Sequence, residues 1–345
     1  MSRFSLSRRG WMKSAGACGL VFATGADRNR SFGAHEKPHT VDIGSRRELF
    51  VDEELIEKLG DVQLVMHRPR DEGQVLAFDK PWEGGFCAYA TVIRDNDQLR
   101  LYYRHRGGES PIEHLYTNQT HPYFRAPHLY VSIAARFMPG RQVLSEDQAK
   151  AINVNPRYFK DTSDAILMTS RPGRDVYDRT FLSSFVRPGI GAHNWVSRTN
   201  YPALNVVQTG PAEMSVYLNQ DYAQPTAHLR RYSMRLDGFA SAQADYNGGE
   251  LVTKPLSFSG QQLKLNFATS AAGGIRVEIQ DTSGKPIPGF TISEAREQIG
   301  NEIERVVSWE AGTDISRLAG QDVRLRFAMH GADLYAFQFS KGVSE

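Results

Sequence analysis

The sequence predicts an all-β protein. Apolar and polar residues alternate with a period of two at 99–104, 213–218 and 228–234, as in half-buried strands. Gly, Pro, Asn and Asp separate these short runs from one another. The alternation also continues beyond residue 237, so strands are expected along nearly the whole folded chain.

One segment has the pattern of a helix. Ser145 and Gln148 have the spacing of a capping box, residues 149–154 follow it, and Pro156 ends the run. We expect this helix to be an insertion between strands, because no repeating strand–helix unit surrounds it.

The chain divides near residue 236. Residues 237–340 contain about six plain alternating runs, which fits a C-terminal β-sandwich. Residues 41–236 contain many short strands with polar loops, and this pattern allows either a sandwich or a propeller. The alternating runs of the C-terminal part are 251–258, 262–269, 274–281, 303–309, 323–329 and 333–339.

Residues 1–34 have the pattern of an export signal and linker. Arg8 and Arg9 form a twin-arginine pair ahead of a small, apolar stretch that ends near Ala26, with Ala34 as a second cleavage position. An amphipathic helix is the alternative, but the stretch is rich in Gly and Ala and poorly periodic. The expected location is periplasmic or secreted, with no membrane attachment after cleavage.

Removing the signal changes the charge of the protein. The full chain carries 41 basic and 39 acidic residues; without the six basic residues and one acid of the signal, the net charge is −3. A nucleic-acid partner therefore loses its compositional support. Cys87 would be the single cysteine of the mature chain, since Cys18 lies in the signal, so no intramolecular disulfide is expected.

Two short segments share one layout. Residues 117–128 and 195–204, called here the Thr-Asn segments, each combine Thr-Asn, a proline, aromatic residues and an arginine. Hydroxyls, amides, a guanidinium and flat rings suit a polyhydroxylated ligand, which offers hydrogen-bonding groups and an apolar face. The segments predict the rim of a sugar-sized pocket.

The candidate binding residues come mainly from these segments. Each of these residues, taken alone, is more often structural. Their recurrence in two loops favours a binding role. Trp82 is added because its ring could stack on a sugar, and His228 because it begins another strand. The predicted binding residues are Trp82, Asn118, Arg125, His128, Arg198, Asn200 and His228.

Three carboxylates are candidates for catalysis. Asp52 follows an apolar run and could act as base or nucleophile, or could cap a helix over 53–58. Glu213 opens a strand beside the second Thr-Asn segment and could donate a proton, or could form an edge salt bridge. Asp161 and Asp164 could pair as acid and base, or serve as turn residues before a strand. His121 and His128 lack supporting ligands at a metal-binding spacing, so neither a metal nor a cofactor is expected.

These residues together resemble a known family. The chain is similar to exported bacterial proteins related to the five-bladed β-propellers of glycoside hydrolase families 32 and 43, which carry a C-terminal β-sandwich. The resemblance covers most of residues 45–340. It rests on the runs at 48–56, 78–84, 113–140, 195–217, 226–232 and 249–256.

The resemblance implies a fold more strongly than an activity. The Asn-Asp-Pro, Arg-Asp-Pro and Glu-Cys signatures of family 32 are missing, with Asp52 and Glu213 near the places of two family carboxylates. The chain is also shortened after about residue 106, so the resemblance implies a partial propeller followed by a sandwich. Such a propeller would close differently, stay open or self-associate, because unpaired edges are costly.

Two functions follow from these observations. The first is a glycosidase-like enzyme that acts on an extracytoplasmic carbohydrate, with Glu213 as acid and Asp52 or Asp164 as the second carboxylate. The second is a non-catalytic or degenerate carbohydrate-binding protein that uses the same loops. Separation of the carboxylates across a shared cavity, about 5–10 Å for hydrolysis, distinguishes them.

Overall fold

A computed structural model describes residues 40–77, 91–95, 98–102, 105–106, 113–174 and 176–342. Residues 1–34, where an export signal is expected, both cysteines and Trp82 lie outside these residues. The single α-helix of the described part, α1, is Glu146–Ala151. The strands are β1 Val41–Gly44, β2 Arg47–Leu49, β3 Ile56–Gly60, β4 Val62–Met66, β5 Arg70–Ala77, β6 Thr91–Asp95, β7 Gln98–Tyr102, β8 His105–Arg106, β9 His114–Leu115, β10 Thr120–Tyr123, β11 Ala126–Met138, β12 Thr162–Ser170, β13 Tyr201–Pro202, β14 Val207–Gln208, β15 Glu213–Gln220, β16 His228–Arg235, β17 Ala240–Ala244, β18 Gly249–Thr253, β19 Leu256–Phe258, β20 Gln262–Gln280, β21 Asn301–Val306 and β22 Arg324–Ser340.

The protein is mostly β, as the alternation predicts, and its strands form several sheets. None of the sheets closes on itself in the part of the chain that is described. The helix also forms where expected: Gln148 N donates to Ser145 Oγ at 3.2 Å, and Ser145 N donates to Gln148 Oε1 at 2.9 Å. It connects β11 to β12 and ends at Ala151, before Asn153 adopts a left-handed φ of 55°.

An eight-stranded sheet is built on two long neighbouring strands, β20 and β22. They pair antiparallel over their length, with an irregularity between Thr269 and Gly274. A Cβ on Gly273 would lie 2.2 Å from Gly331 O, so only glycine fits where the two backbones approach at this point. Four of the alternating runs in the sequence are thus halves of two continuous strands.

The first strands of the folded chain belong to the C-terminal sheets. β2 pairs with β22, β3 with β18 and β4 with β17, while β1 runs parallel to β19. Sheet membership therefore departs from a division at residue 236, since residues 41–66 pair with strands beyond it. Alternation identifies a strand but not its partner, and these partners are distant in sequence.

Two five-stranded sheets and the two-stranded β6–β7 sheet make up the rest of the described fold. In one, β11 pairs with β9, β10 and β12, and β9 pairs with β8. In the other, β15 pairs with β13, β14 and β16, and β16 pairs with β5. β6 pairs antiparallel with β7. Residues 96–97, between these strands, and residues 103–104, after β7, lie outside the described ranges.

The hydrophobic cores follow this arrangement. One core fills the C-terminal sheets and includes Phe258 stacked on Phe339, with ring centroids 3.9 Å apart. A second core joins both five-stranded sheets to the eight-stranded one, because Leu49 and Ala336 pack in the same cluster as Val131 and Val216. Burial of these side chains couples the front of the chain to its last strand.

A buried carboxylate lies at this junction. Asp237 is fully buried and accepts hydrogen bonds from Arg125 Nε at 2.9 Å, Arg47 Nη1 at 3.3 Å and Asn266 Nδ2 at 2.9 Å. Tyr123 OH also donates to it at 2.8 Å. We call this group of five residues the Asp237 clasp.

The clasp joins elements from the whole chain. Its residues come from β2, the end of β10, the β10–β11 turn, the β16–β17 connection and β20. Burial and the adjacent charge of Asp237 raise the pKa of Tyr123, so its hydroxyl keeps the proton that it donates. A carboxylate with no exposure is tolerated here because two guanidiniums and two neutral donors satisfy it.

We expect Asp237→Ala to lower the free energy of unfolding by about 3–5 kcal/mol, because the guanidiniums of Arg47 and Arg125 lose their buried carboxylate. Urea unfolding measures the change. Glu302→Ala is the matched control, since it removes an exposed carboxylate that pairs with Arg305 at 2.7 Å, and it should cost less than about 0.5 kcal/mol. Equal losses in the two variants would contradict the role of the clasp.

Candidate functional site

The two Thr-Asn segments meet in the structure. Gln119 Nε2 donates to Pro202 O at 3.1 Å, which ties the first segment to the second. The rings of Tyr116 and Tyr201 lie beside each other, with centroids 5.2 Å apart. The sequence similarity of the segments therefore corresponds to a shared location.

In the first segment, Asn118 shapes the backbone. Its Oδ1 accepts from Thr120 N at 3.0 Å, and its Nδ2 donates to Tyr177 OH at 2.9 Å. The next residue, Gln119, has a left-handed φ of 53°, which a long side chain rarely adopts. Asn118 is buried, and its amide is occupied by protein groups.

In the second segment, the residues on either side of Arg198 point inward. Ser197, Thr199 and Asn200 are all fully buried. Asn200 Nδ2 donates to Ser163 O at 3.1 Å, and Asn200 Oδ1 accepts from Gln220 Nε2 at 2.9 Å. Asn200 thus fixes the loop through buried bonds.

Arg198 is the exception in this buried stretch. Its side chain is partly exposed and its guanidinium lies over two rings, 5.4 Å from the centroid of Tyr116 and 4.8 Å from that of Tyr158. Its Nε donates to Tyr116 OH at 3.3 Å. Burial lowers the pKa of Arg198, but the hydrogen bond with Tyr116 and the nearby tyrosines outweigh this and raise it. The group is a permanent cation held between two aromatic rings.

The backbone presents Arg198 at some cost. Its φ is 62°, a left-handed conformation that disfavours residues with a Cβ by roughly 1–2 kcal/mol. Asn219 Nδ2 donates to Arg198 O at 3.3 Å, and Ser197 N donates to Tyr158 O at 2.8 Å, so flanking bonds hold this conformation. Strained residues of this kind concentrate at functional sites.

The rings around Arg198 are themselves fixed by packing. Tyr116 contacts Phe137 with centroids 5.6 Å apart, and Tyr158 meets Tyr222 edge to face at 5.5 Å. We call Arg198, Tyr116 and Tyr158 the Arg198 site. It combines a charged planar donor group with preorganised aromatic surface.

Arg125, the corresponding arginine of the first segment, lies elsewhere. It belongs to the Asp237 clasp and also donates to Glu304 Oε1 at 3.1 Å. Burial lowers the pKa of Arg125, and the adjacent Asp237 outweighs this and raises it. Its guanidinium is occupied by two carboxylates of the protein.

Asp52 and His128 are brought together around a residue that the sequence analysis missed. Glu48 is 1 % exposed, and its carboxylate contacts His128 Nε2 at 3.3 Å and Arg171 Nη1 at 3.3 Å. Arg171 also donates from Nη2 to Asp52 Oδ1 at 3.2 Å. Burial raises the pKa of Glu48, but His128 and the charges of Arg171 and Arg46 outweigh it and lower the pKa.

The alternative of Asp52 as a helix cap does not match the structure. Asp52 Oδ1 accepts from Glu54 N at 3.1 Å within a turn, and strand β3 follows instead of a helix over 53–58. The sequence does not single out Glu48, because it resembles an ordinary strand residue. The sequence does not single out Arg171 either, because its partners are more than a hundred positions away.

Asp164 lies within β12, paired with Arg136 of β11. Arg136 Nε and Nη2 donate to the two carboxylate oxygens of Asp164 at 2.8 and 2.7 Å, a bidentate pair. Asp161, its proposed partner, instead accepts from Gly140 N at 2.7 Å and from Ser197 Oγ at 2.8 Å. The two aspartates have separate hydrogen-bond partners.

Glu213 opens β15, as the sequence indicates, and its side chain is partly exposed. It accepts from Thr209 Oγ1 at 2.7 Å and from Arg231 Nη1 at 3.0 Å. The hydrogen bond from Thr209, followed by that from Arg231, lowers the pKa of Glu213. A general acid needs the opposite shift.

Glu72 of β5 is a second carboxylate near Glu213. Arg231 Nη2 lies 3.6 Å from Glu72 Oε2, so one guanidinium bridges both acids. The charge of Glu72 acts against ionisation of Glu213, although the net pKa shift remains downward. Glu72 has no recognisable motif in the sequence.

His228 begins β16 and is buried. Its Nδ1 lies 2.9 Å from Thr226 O and 3.7 Å from Asp221 Oδ2. Gln220 of β15 is its register partner in the sheet. His228 therefore lines the end of this sheet rather than the Arg198 site.

The three predicted catalytic carboxylates do not share hydrogen-bond partners. Asp52 pairs with Arg171, Asp164 with Arg136 and Glu213 with Arg231. Within the described ranges, no group of three or more His, Cys, Asp and Glu side chains is placed to hold a metal ion. The described chain also contains no helix with the length and apolar character needed to cross a membrane.

Comparison of the chain with protein-family models, with curated proteins and with solved structures finds no match. Functional inference therefore rests on the residues themselves.

We expect buried His121 to make stability depend on pH. Its Nδ1 lies 3.1 Å from Gln119 O, and its Nε2 accepts from Val206 N at 3.2 Å, an arrangement that fits the neutral ring. Burial lowers the pKa of His121. The stabilisation is complete above the unfolded-state pKa of about 6.5 and is lost as the pH falls from there towards the folded-state pKa.

Urea unfolding of the wild type and of His121→Gln across this range measures the effect. The wild type should lose more stability than the variant as the pH falls, because the other titrating groups are common to both proteins. Parallel losses would contradict a neutral buried His121.

Proposed function

We propose that the protein binds a carbohydrate at the Arg198 site. The single observation that carries this proposal is the position of Arg198, which is partly exposed between the rings of Tyr116 and Tyr158 while its neighbours in the chain are buried. Aromatic rings provide apolar surface for the faces of a sugar, and the guanidinium and tyrosine hydroxyls provide hydrogen-bonding groups. Arg198 belongs to the second Thr-Asn segment, and Tyr116 directly precedes the first.

Binding is favoured over hydrolysis. Each predicted catalytic carboxylate is paired with a different arginine, and Glu213 has a lowered pKa where an acid would need a raised one. A retaining or inverting mechanism needs two carboxylates that share one cavity and differ in protonation. The proposal is therefore a non-catalytic, glycosidase-like carbohydrate-binding protein.

The finer fold assignment and the location form part of this proposal. We propose a shortened propeller-like front part and a C-terminal sandwich, in keeping with the resemblance to the family 32 and 43 propellers. Supporting features are the two five-stranded antiparallel sheets, whose strands lie within residues 70–235, and the long paired strands β20 and β22. Export through the twin-arginine signal, and self-association of the shortened front part, are further expectations of that resemblance.

The test of binding uses Arg198→Gly. Glycine suits the left-handed φ of this position, so the variant removes the guanidinium without adding backbone strain. Titration calorimetry against a panel of neutral and acidic oligosaccharides should show saturable binding by the wild type and an affinity at least about tenfold lower in the variant.

Arg187→Ala is the matched control, because Arg187 is exposed and lies outside the Arg198 site. It should bind like the wild type. Unchanged binding by Arg198→Gly, with unfolding midpoints equal to the wild type, would remove the Arg198 site from the function.

Hydrolysis is a second candidate, favoured by one observation: Arg231 brings Glu213 and Glu72 together on one sheet. Release of reducing sugar from the same panel tests it. We expect no release by the wild type. Release that is lost in Glu213→Gln but kept in Asp164→Asn would instead establish an enzyme with Glu213 in its mechanism.

A further inference from the structure

The chemical class of the ligand follows from what surrounds the charge of Arg198. Several arginines that are largely buried have a carboxylate of the protein beside them. Examples are Arg47 with Asp237 and Arg136 with Asp164. Arg198 has no such ion pair among the described residues.

Arg235 provides a close comparison. It also lies over a tyrosine, 4.3 Å from the ring centroid of Tyr335, but its terminal nitrogens are occupied. Its Nη1 donates to Asn301 Oδ1 at 2.6 Å and its Nη2 to Asn266 Oδ1 at 2.8 Å. The terminal nitrogens of this arginine are thus satisfied by protein groups.

Arg198 differs in this respect. Its Nε is bonded to Tyr116, whereas no described residue accepts a hydrogen bond from its Nη1 or Nη2. Rings over the faces of a guanidinium leave its in-plane N–H groups unsatisfied, because these donate at the edge. The two terminal nitrogens form a parallel pair of donors, the geometry that a planar carboxylate accepts.

A groove with a similar chemistry is lined by residues that follow Tyr158 in the chain. Next to Tyr158 in the chain, Phe159 and Lys160 line an open groove of about 660 Å³, which Lys150, Asn153 and Asn155 also line. The groove has two lysines against one acid, Glu146, although the mature chain as a whole is acidic. Amides, cations and an aromatic side chain suit further residues of a negatively charged saccharide.

We propose that the ligand is an acidic saccharide, and that a uronate carboxylate of it binds the Nη1–Nη2 edge of Arg198. This inference rests on the proposed carbohydrate-binding function and narrows its ligand class. The tyrosines would contact the faces of the sugar ring that carries the carboxylate. The expected contact is a charge-assisted bidentate pair within a partly desolvated site.

The test compares saccharides that differ in the carboxylate alone. Oligogalacturonate is titrated against its methyl ester of equal length, and alginate and hyaluronate oligomers extend the set of uronates. The wild type should bind at least one free acid, with an affinity about tenfold or more above that for its methyl ester. Arg198→Lys keeps the charge but loses the paired donors, so the preference for the acid should fall. In Arg198→Gly the preference should disappear, and in Arg187→Ala it should remain.

The outcomes separate the two proposals. If the ester and the acid bind with equal affinity, or if only neutral saccharides bind, the uronate proposal is overturned. The carbohydrate site would still stand, provided that this binding is lost in Arg198→Gly. Binding of dextran sulfate as tightly as the uronates, with the same dependence on Arg198, would replace the carboxylate by a general anion. Binding that is independent of Arg198, or no binding to any saccharide, would overturn both proposals.

Discussion

The fold depends on one buried carboxylate. Asp237 has no exposure, so its charge is tolerated only where several donors surround it. Those donors are spread along the chain from Arg47 to Asn266 and come from two different sheets, and the second hydrophobic core includes Tyr123. Hydrophobic burial supplies most of the stabilisation, but it is non-directional. The clasp adds directional interactions, because two guanidiniums reach one carboxylate only when β2 and the β10–β11 turn are correctly placed.

The same principle separates the arginines that the protein pairs with carboxylates from Arg198. Where an arginine is largely buried, the protein generally supplies its counter-charge, as at Arg171 and Arg136. Arg198 is supplied with aromatic surface and one hydroxyl instead. Its terminal nitrogens have no hydrogen-bond acceptor among the described residues, and the proposed ligand would supply one. The Arg198 site therefore differs from the Arg171 and Arg136 ion pairs, because its terminal guanidinium nitrogens have no acceptor among the described residues.

Sequence reasoning was most successful for local features. Alternation identified the strands, the capping box of Ser145 and Gln148 formed as expected, and the two Thr-Asn segments proved to be neighbours. These features depend on contacts within a few residues or on composition.

Long-range pairing was predicted less well from the sequence. Arg125 and Arg198 occupy similar places in similar segments, yet Arg125 is held by Asp237 and Arg198 is partly exposed. Glu48 and Arg171 were missed for the same reason, since no local pattern records a partner more than a hundred residues away.

The pairing of the first strands with the last also constrains when the protein can fold. Arg47 of β2 donates to Gln338 of β22, 291 positions further along, and β22 is the central partner of β2, β17, β18 and β20. During synthesis, β1, β3 and β4 remain without their partners until residues 240–258 have been made, and β2 remains without its partner until β22 has been made. Contacts of such long sequence separation close large loops and form slowly. The edges of β1–β4 stay unpaired during that interval, and unpaired strand edges favour aggregation of nascent chains.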